Sequence, residues 1–390
     1  MSPGQPRAAP VAVARAWTPA PWLWALRSVG LLALLMPGVR DAFRSWHLLW
    51  LYLALLAFAA AAFAVPIVRA LAARWGVLDN PAARKVHAVA TPLLGGAAVY
   101  AAFAFTVLFN FTFSLQLKGV AVGATIVVLV GIVDDIMDIS ARVKLAGQCA
   151  GVLAAMLYGV VLHTVPQSVP GAVYLNLLLT VLWFLAVTNA LQFLDGMDGL
   201  AAGLGVIAGI FFSIAALQRD QPYLMFLGAA LMGACAGFLP YNFRPGGATI
   251  FLGDSGASFV GFTLAGLAVM GEWSGDNPVV ALLTPTLILA VPLFDIAFVG
   301  TARIVTGRVH SLHEWLAYTG KDHMHHRFEA LGLTKTQSVL LIFFIAGTLG
   351  LSALLLAVST PHEAALLLLQ AACVLAIIAV LEGVGRGRGR

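Results

Sequence analysis

The chain has 390 residues, 61% of them hydrophobic and only 10% charged, with a formal net charge of +5. Soluble globular proteins carry roughly 25% charged residues, so a water-soluble fold of this size is excluded, and so is disorder, which needs few apolar residues. The apolar residues come in unbroken runs of about the 20 residues that span a bilayer as a helix, not in the alternation of a membrane barrel. The fold class is therefore all-α, a polytopic integral membrane protein.

In chain order, residues 1–46 read as a Pro-rich disordered tail followed by an apolar stretch, 21–39, interrupted by Arg27. That stretch reads first as an interfacial helix, with an uncleaved signal-like segment or an extra span as the alternatives. Residues 47–384 form a single transmembrane domain. Its runs give eleven spans: 47–72, 95–114, 117–133, 145–163, 172–192, 197–217, 222–240, 256–271, 279–302, 336–358 and 362–384. Residues 385–390 are a basic tail. Cys149, Cys235 and Cys373 all lie inside apolar runs and read as small core residues. Polar loops follow every odd-numbered span, so by parity they share one face. Fifteen Lys and Arg residues, from Arg69 to Arg390, fall on that face, against Lys118 and Arg219 on the other. The positive-inside tendency makes the motif face cytoplasmic. No segment interleaves basic and aromatic residues, so nucleic-acid binding is not expected.

Five loops carry the chemistry. The first holds Arg84, Lys85 and His87 before Thr91-Pro92, three cations that suit a phosphate. The second ends a span with Asp134-Asp135, followed by Lys144; adjacent carboxylates at an apolar helix end need an offsetting cation. The third reads Asn189-Ala190-Leu191-Gln192-Phe193-Leu194-Asp195-Gly196-Met197-Asp198-Gly199. Asp195 and Asp198, three apart, would share one helical face. In the fourth, Asn242 precedes Phe251-Leu252-Gly253-Asp254-Ser255, and Asp254 or Ser255 is expected to cap the next span. The fifth contains His323, His325, His326 and Arg327. Zinc is one reading of the histidines, and phosphate binding beside Arg327 is the other. Many carboxylates select Mg²⁺, and with the cations they form an inventory for phosphoryl transfer. The membrane setting points to a lipid substrate.

The five motifs resemble, in family order over residues 50–345, the polyprenyl-phosphate N-acetylhexosamine-1-phosphate transferases. The His323-x-His325-His326 pattern is similar to the undecaprenyl-phosphate N-acetylglucosamine-1-phosphate transferase branch, related to phospho-N-acetylmuramoyl-pentapeptide transferase. The resemblance implies transfer of N-acetylhexosamine-1-phosphate from a UDP-sugar, UDP-N-acetylglucosamine first, to undecaprenyl phosphate. UMP leaves, and Mg²⁺ or Mn²⁺ serves as cofactor. It also implies a multi-pass protein of a bacterial inner membrane, acting at its cytoplasmic face in cell-envelope polysaccharide synthesis, with a homodimer left open. By resemblance Asp254 and Gln192 match metal-site positions, Gln192 replacing the family's Asn. Asp134, Asp135, Asp195 and Asp198 match catalytic acids. Arg84, Lys85, His87, Lys144, Asn189, Asn242 and the cluster from His323 to Arg327 match substrate-binding positions. Another UDP-N-acetylhexosamine is the alternative donor. A transporter is the alternative of another class; it would want charges inside spans, where Asp295 is the main one.

Overall fold

The computed structural model describes residues 21–80, 90–110, 114–274, 277–307, 309 and 322–388. The described chain is helical apart from one antiparallel pair, β1 (Leu78–Asp79) with β2 (Thr91–Pro92), in the register Leu78↔Pro92 and Asp79↔Thr91. Helices α1 (Pro21–Leu34) and α2 (Val39–Ser45) precede α3 (Leu49–Trp75). After the β pair come α4 (Gly95–Asn110), α5 (Leu115–Met137), α6 (Ala141–Leu157), α7 (Ala172–Leu194), α8 (Leu200–Gln218), α9 (Pro222–Asn242) and α10 (Gly253–Met270). The chain ends with α11 (Pro278–Ile288), α12 (Ala290–Val305), the short α13 (Met324–Ala330), α14 (Lys335–Leu356) and α15 (Pro361–Arg388).

Among the described residues, seven helices are long and apolar enough to cross a membrane, or nine if each bent pair counts as one span. Eleven spans are thus not reached by length and composition: α4 and α6 are too short at 16 and 17 residues, α10 opens on polar Gly253–Ser255, and one of the nine is the bent pair α1–α2, outside the eleven. The expected span 279–302 is two helices, α11 and α12, bent by 84°. Pro292 explains the break: its ring lacks an N–H and crowds the carbonyl four residues back, where α11 stops.

Residues 21–34 do not lie apart from the bundle. Trp24 meets Phe63 edge-on, the Tyr52 hydroxyl donates to the Leu34 carbonyl (3.2 Å), and Arg27 lies over the Tyr241 ring at 5.2 Å. So α1 runs beside α3, then bends by 63° into α2.

The central helix is α10, packed against α4, α5, α7, α8 and α9. Residues 255–268 of it are all buried. Gly256 and Gly261 let the backbones of α4 and α7 approach that of α10, and Gly266 makes room for the Val120 side chain of α5, the usual device where lipid gives helices no hydrophobic drive to associate. Asp254, at the start of this helix, is therefore set in the middle of the bundle's end.

Candidate active site

The second, third and fourth motif loops meet at Asp254. The Lys144 ammonium lies 2.5 Å from Asp254 Oδ2 and 2.5 Å from Asp134 Oδ2, so one cation bridges two carboxylates from different helices. Lys144 sits one turn into α6, which brings it back against the end of α5.

Asp135 does something different. Its carboxylate accepts from the backbone amides of Asp254 (2.8 Å) and Ser255 (3.3 Å) and from the Ser255 hydroxyl (2.6 Å). The expected cap of α10 by Asp254 or Ser255 is thereby corrected. Leu252 is the N-cap, with no side-chain bond, and the exposed amides are satisfied by Asp135 from α5. Gly253 permits this: its φ is +75°, and the Asp135 carboxylate occupies the space a Cβ would need.

Asp195 closes the cluster, but not on a helical face shared with Asp198. Residue 195 is the C-cap of α7, and 195–199 form the turn into α8. Burial, reinforced by the negative charges of Asp254, Asp135 and Asp198, raises the Asp195 carboxyl well above its ordinary value. Asp198 instead accepts from the Ala248 amide at 2.8 Å.

The amide side chains at the predicted substrate positions hold the loops together. Asn242 Oδ1 accepts from the Gly199 amide (2.6 Å) and its Nδ2 donates to the Ile250 carbonyl (3.0 Å), stitching the third loop to the fourth. Phe251 N donates to Pro92 O (2.9 Å) and Gly96 N to Leu252 O (2.7 Å), which joins the first loop. Asn189 Nδ2 donates to Gln148 Oε1 (2.8 Å), and Gln148 Nε2 donates to Gln192 Oε1 (2.9 Å). Sequence reasoning missed Gln148. It lies four residues after Lys144, so α6 presents both on one face to the site, a spacing the sequence does carry.

The fifth loop arrives from the other side. His323 stacks on Phe193 at 5.3 Å, and His325 presses against Gly196: a Cβ there would lie 2.5 Å from His325 Nε2. His325 is buried, and neither ring nitrogen has a hydrogen-bond partner among the described residues. Burial, then the neighbouring His326 and His323, push it well below its ordinary value, so the ring is neutral. His326 Nδ1 lies 3.5 Å from a Glu329 oxygen, and Arg327 Nε donates to the Asp322 carbonyl (3.3 Å). Behind them, Arg303 makes a bidentate pair with Asp322 (2.7 and 2.8 Å), both buried. The sequence reading counted Arg303 only as a topology charge. Arg84, Lys85 and His87 lie outside the described residues.

The carboxylates fit a hard divalent cation. Asp134 and Asp254 already converge on one cationic atom, and Mg²⁺ characteristically takes one or two carboxylates with water and substrate oxygens rather than a full protein cage. Among the described residues no three His, Cys, Asp or Glu form a ready-made metal cage. The rings of His323 and His325 stack 6.3 Å apart, and those of His325 and His326 stand 4.2 Å apart, tilted by 47°.

Comparison with known proteins agrees with this architecture. The sequence model of glycosyl transferase family 4 matches residues 117–272, from α5 to just past α10. The chain is 34% identical to a probable undecaprenyl-phosphate N-acetylglucosaminyl 1-phosphate transferase of Bacillus subtilis, over 76% of this chain and 81% of the relative. It is 30% identical to the decaprenyl-phosphate N-acetylglucosaminephosphotransferase of Mycobacterium tuberculosis, over 92% and 94%. To the undecaprenyl-phosphate alpha-N-acetylglucosaminyl 1-phosphate transferase of Escherichia coli it is 26% identical, over 72% and 77%. The match covers the acid cluster, the amide stitches and the helices that carry them, and the chain belongs to the polyprenyl-phosphate N-acetylhexosamine-1-phosphate transferase family.

Proposed function

We propose that the protein transfers N-acetylglucosamine-1-phosphate from UDP-N-acetylglucosamine to undecaprenyl phosphate, releasing UMP, as the first membrane step of a cell-envelope polysaccharide. The observation that carries the reading is one junction at a bundle end. There the bridged pair Asp134–Lys144–Asp254 and the unpartnered His325 flank the same Asp195–Gly199 turn. The names of the relatives supply the sugar and the lipid class.

In this reading an oxygen of the lipid phosphate attacks the β-phosphorus of the UDP-sugar. A new P–O bond forms and the bond to the UMP oxygen breaks. Phosphoryl transfer of this kind depends on positioning and charge neutralisation. Asp134 and Asp254, with Gln192 nearby, would hold Mg²⁺, which when bound supplies charge neutralisation to the diphosphate oxygens. Lys144 keeps the two carboxylates from repelling each other before substrate enters. Asp135 fixes the start of α10, and with it the direction of Asp254. His325 has nitrogens free for a diphosphate oxygen, and an anion there would favour its protonated, doubly donating form. Asp198 and Asn242 keep the Asp195–Gly199 turn rigid. Asp295, the carboxylate inside a span, bonds His323 Nδ1 (2.6 Å) and the Met324 amide (2.7 Å), which supports a structural role over an ion pathway.

The test is UMP release by detergent-purified protein from UDP-N-acetylglucosamine, with and without undecaprenyl phosphate, plus mass analysis of the lipid product against a panel of UDP-N-acetylhexosamines. No UMP with any donor would overturn the reading. A product mass from a different donor would move it to that sugar. The cytoplasmic placement has its own test. In a background lacking Cys149, Cys235 and Cys373, a cysteine at exposed Ser140 should be protected from an impermeant thiol reagent in intact cells, and one at exposed Ser168 should react. The reverse pattern would invert the protein.

A further inference from the structure

We propose that Asp295 is a positioning residue for the donor side of the site, acting through the helix that carries His325 and His326; this rests on the transfer reaction proposed above. Asp295 lies on α12, just beyond the 84° break, and is 1% exposed. A carboxylate buried in an apolar bundle is costly unless its oxygens are satisfied. Both are, and by one short segment. Oδ2 takes the ring N–H of His323, and Oδ1 takes the backbone N–H of Met324, the first residue of α13. His323, the N-cap of α13, makes no side-chain cap of its own, so the Met324 amide depends on an acid from another helix.

The same segment is held from two more directions. On its other side the His323 ring faces Arg303, with Nε2 3.5 Å from Nη2. Arg303 is fixed in turn by its two bonds to Asp322, the residue before His323. The outer face of the His323 ring stacks on Phe193, next to Gln192. Asp295 is thus the inner anchor of a chain of contacts that ends at His325, whose own ring nitrogens make no protein bond. Among the described residues the His325 side chain makes ring contacts with His323 and His326 and packs on Gly196 but has no hydrogen bond, so its orientation follows the α13 backbone, which Asp295 pins at its first amide. Asp295 stands on α12 past the 84° break, and from there its two oxygens reach His323 and Met324.

The experiment compares wild type, Asp295→Asn, His325→Ala and the double variant, measuring kcat and the KM of each substrate separately. Asp295→Asn keeps the size and one acceptor but removes the charge. It should lower kcat/KM for the sugar nucleotide by about ten- to a hundredfold while leaving the KM of the lipid phosphate within about twofold. The double variant should be no more than about threefold worse than the poorer single variant, because both changes act on one unit. Multiplying losses, or equal changes in both KM values, would overturn the proposal. Asp322→Asn is measured in parallel, since it loosens the same chain from its outer end; it should show the same split at smaller size if Asp295→Asn does not fold, and a wild-type profile would count against the proposal. Wild-type protein that turns over no donor would overturn the transfer reading alone. Amide exchange over residues 322–330 then decides on the anchor: faster in Asp295→Asn with other helices unchanged supports it, and unchanged exchange overturns it.

Discussion

The acid side and the histidine side of the site are built in opposite ways. Asp134, Asp135, Asp195 and Asp254 sit at or next to the ends of long helices, and the packing of α5 and α7 on the buried α10 brings them within reach of each other. The histidines sit on a seven-residue helix with little core of its own, held by buried ionic contacts from α12. The acid side is positioned mainly by helix packing, with Asp135 holding the start of α10 and the Asp134–Lys144–Asp254 group left for the proposed reaction. The histidine side is positioned by charges that never meet substrate. Substitutions should therefore separate the two: on the acid side they remove chemistry and spare the fold, and behind the histidines they loosen the fold before they touch chemistry.

The largest effect is expected on the acid side. Asp254→Asn should cut kcat by at least about a thousandfold, since one charged group lost from a divalent-cation site costs several kcal/mol in the transition state. The protein should still purify as a folded species, because the neutral amide still accepts from Lys144. Near-normal turnover at ordinary Mg²⁺ would remove Asp254 from the metal site. Unfolding instead would erase the contrast drawn between the two sides.

Arg303→Ala probes the other construction. It leaves Asp322 buried without its guanidinium, a change that costs about 3–5 kcal/mol when one partner of a buried pair is removed, and it should lower the melting temperature in detergent. The effect has a pH signature. Against the upward pull of burial, the Arg303 bonds hold the Asp322 carboxyl below its ordinary value of 3.8. A depressed carboxylate stabilises the fold above its unfolded value, and the gain is lost as pH falls through the folded value. The gap in melting temperature between wild type and Arg303→Ala should then be full at neutral pH and shrink below pH 3.8. A gap that does not change with pH would show that Arg303 acts through packing alone.

His325→Ala should lower kcat/KM by about ten- to a hundredfold, the worth of one charge-assisted bond of roughly 1.5–3 kcal/mol. Among the described residues the ring nitrogens have no hydrogen-bond partner, so any loss of stability should be that of the buried ring's packing alone. If the cluster were instead a zinc site, chelation would mimic the substitution and zinc would copurify at one per chain. Activity restored by Mg²⁺ alone after chelation would close that route.

The same contrast governs what the sequence could tell. Acids at helix ends are visible because a charge in an apolar run stands out, and loop parity alone brings the odd-numbered loops to one face. The described parts of all five do meet there. The capping of α10 was misassigned to Asp254 or Ser255 because local spacing cannot see Asp135, which comes from α5. The break at Pro292 was hidden inside a run whose hydropathy reads as continuous. Arg303 looked like a surface charge because burial of a cation depends on a partner 19 residues away, Asp322. Gln148 was passed over as one amide in an apolar helix, although its spacing from Lys144 marked it.

Gln148 sets the smallest prediction, and one that sharpens the acid side. Gln192→Asn restores the family's residue but shortens the side chain by one methylene. In the present arrangement Gln192 Oε1 is already taken by Gln148 Nε2, while the rest of the Gln148 amide is shared with Asn189. The shorter amide would give up the Gln148 bond, worth about 0.5–1.5 kcal/mol net, and Gln148 would keep Asn189 as partner. Activity should stay within about tenfold of wild type, with any change confined to the Mg²⁺ concentration needed for half-maximal rate. Titrating Mg²⁺ against rate for Gln192→Asn, Gln148→Ala and the double variant separates two roles for this amide. If Gln148 only orients Gln192 towards the cation, Gln148→Ala shifts the Mg²⁺ curve in wild type and has little further effect once residue 192 is Asn. If both substitutions leave the Mg²⁺ dependence alone, the ladder from Gln148 to Gln192 belongs to the packing of α6 on α7, and the cation is held by Asp134 and Asp254 without it.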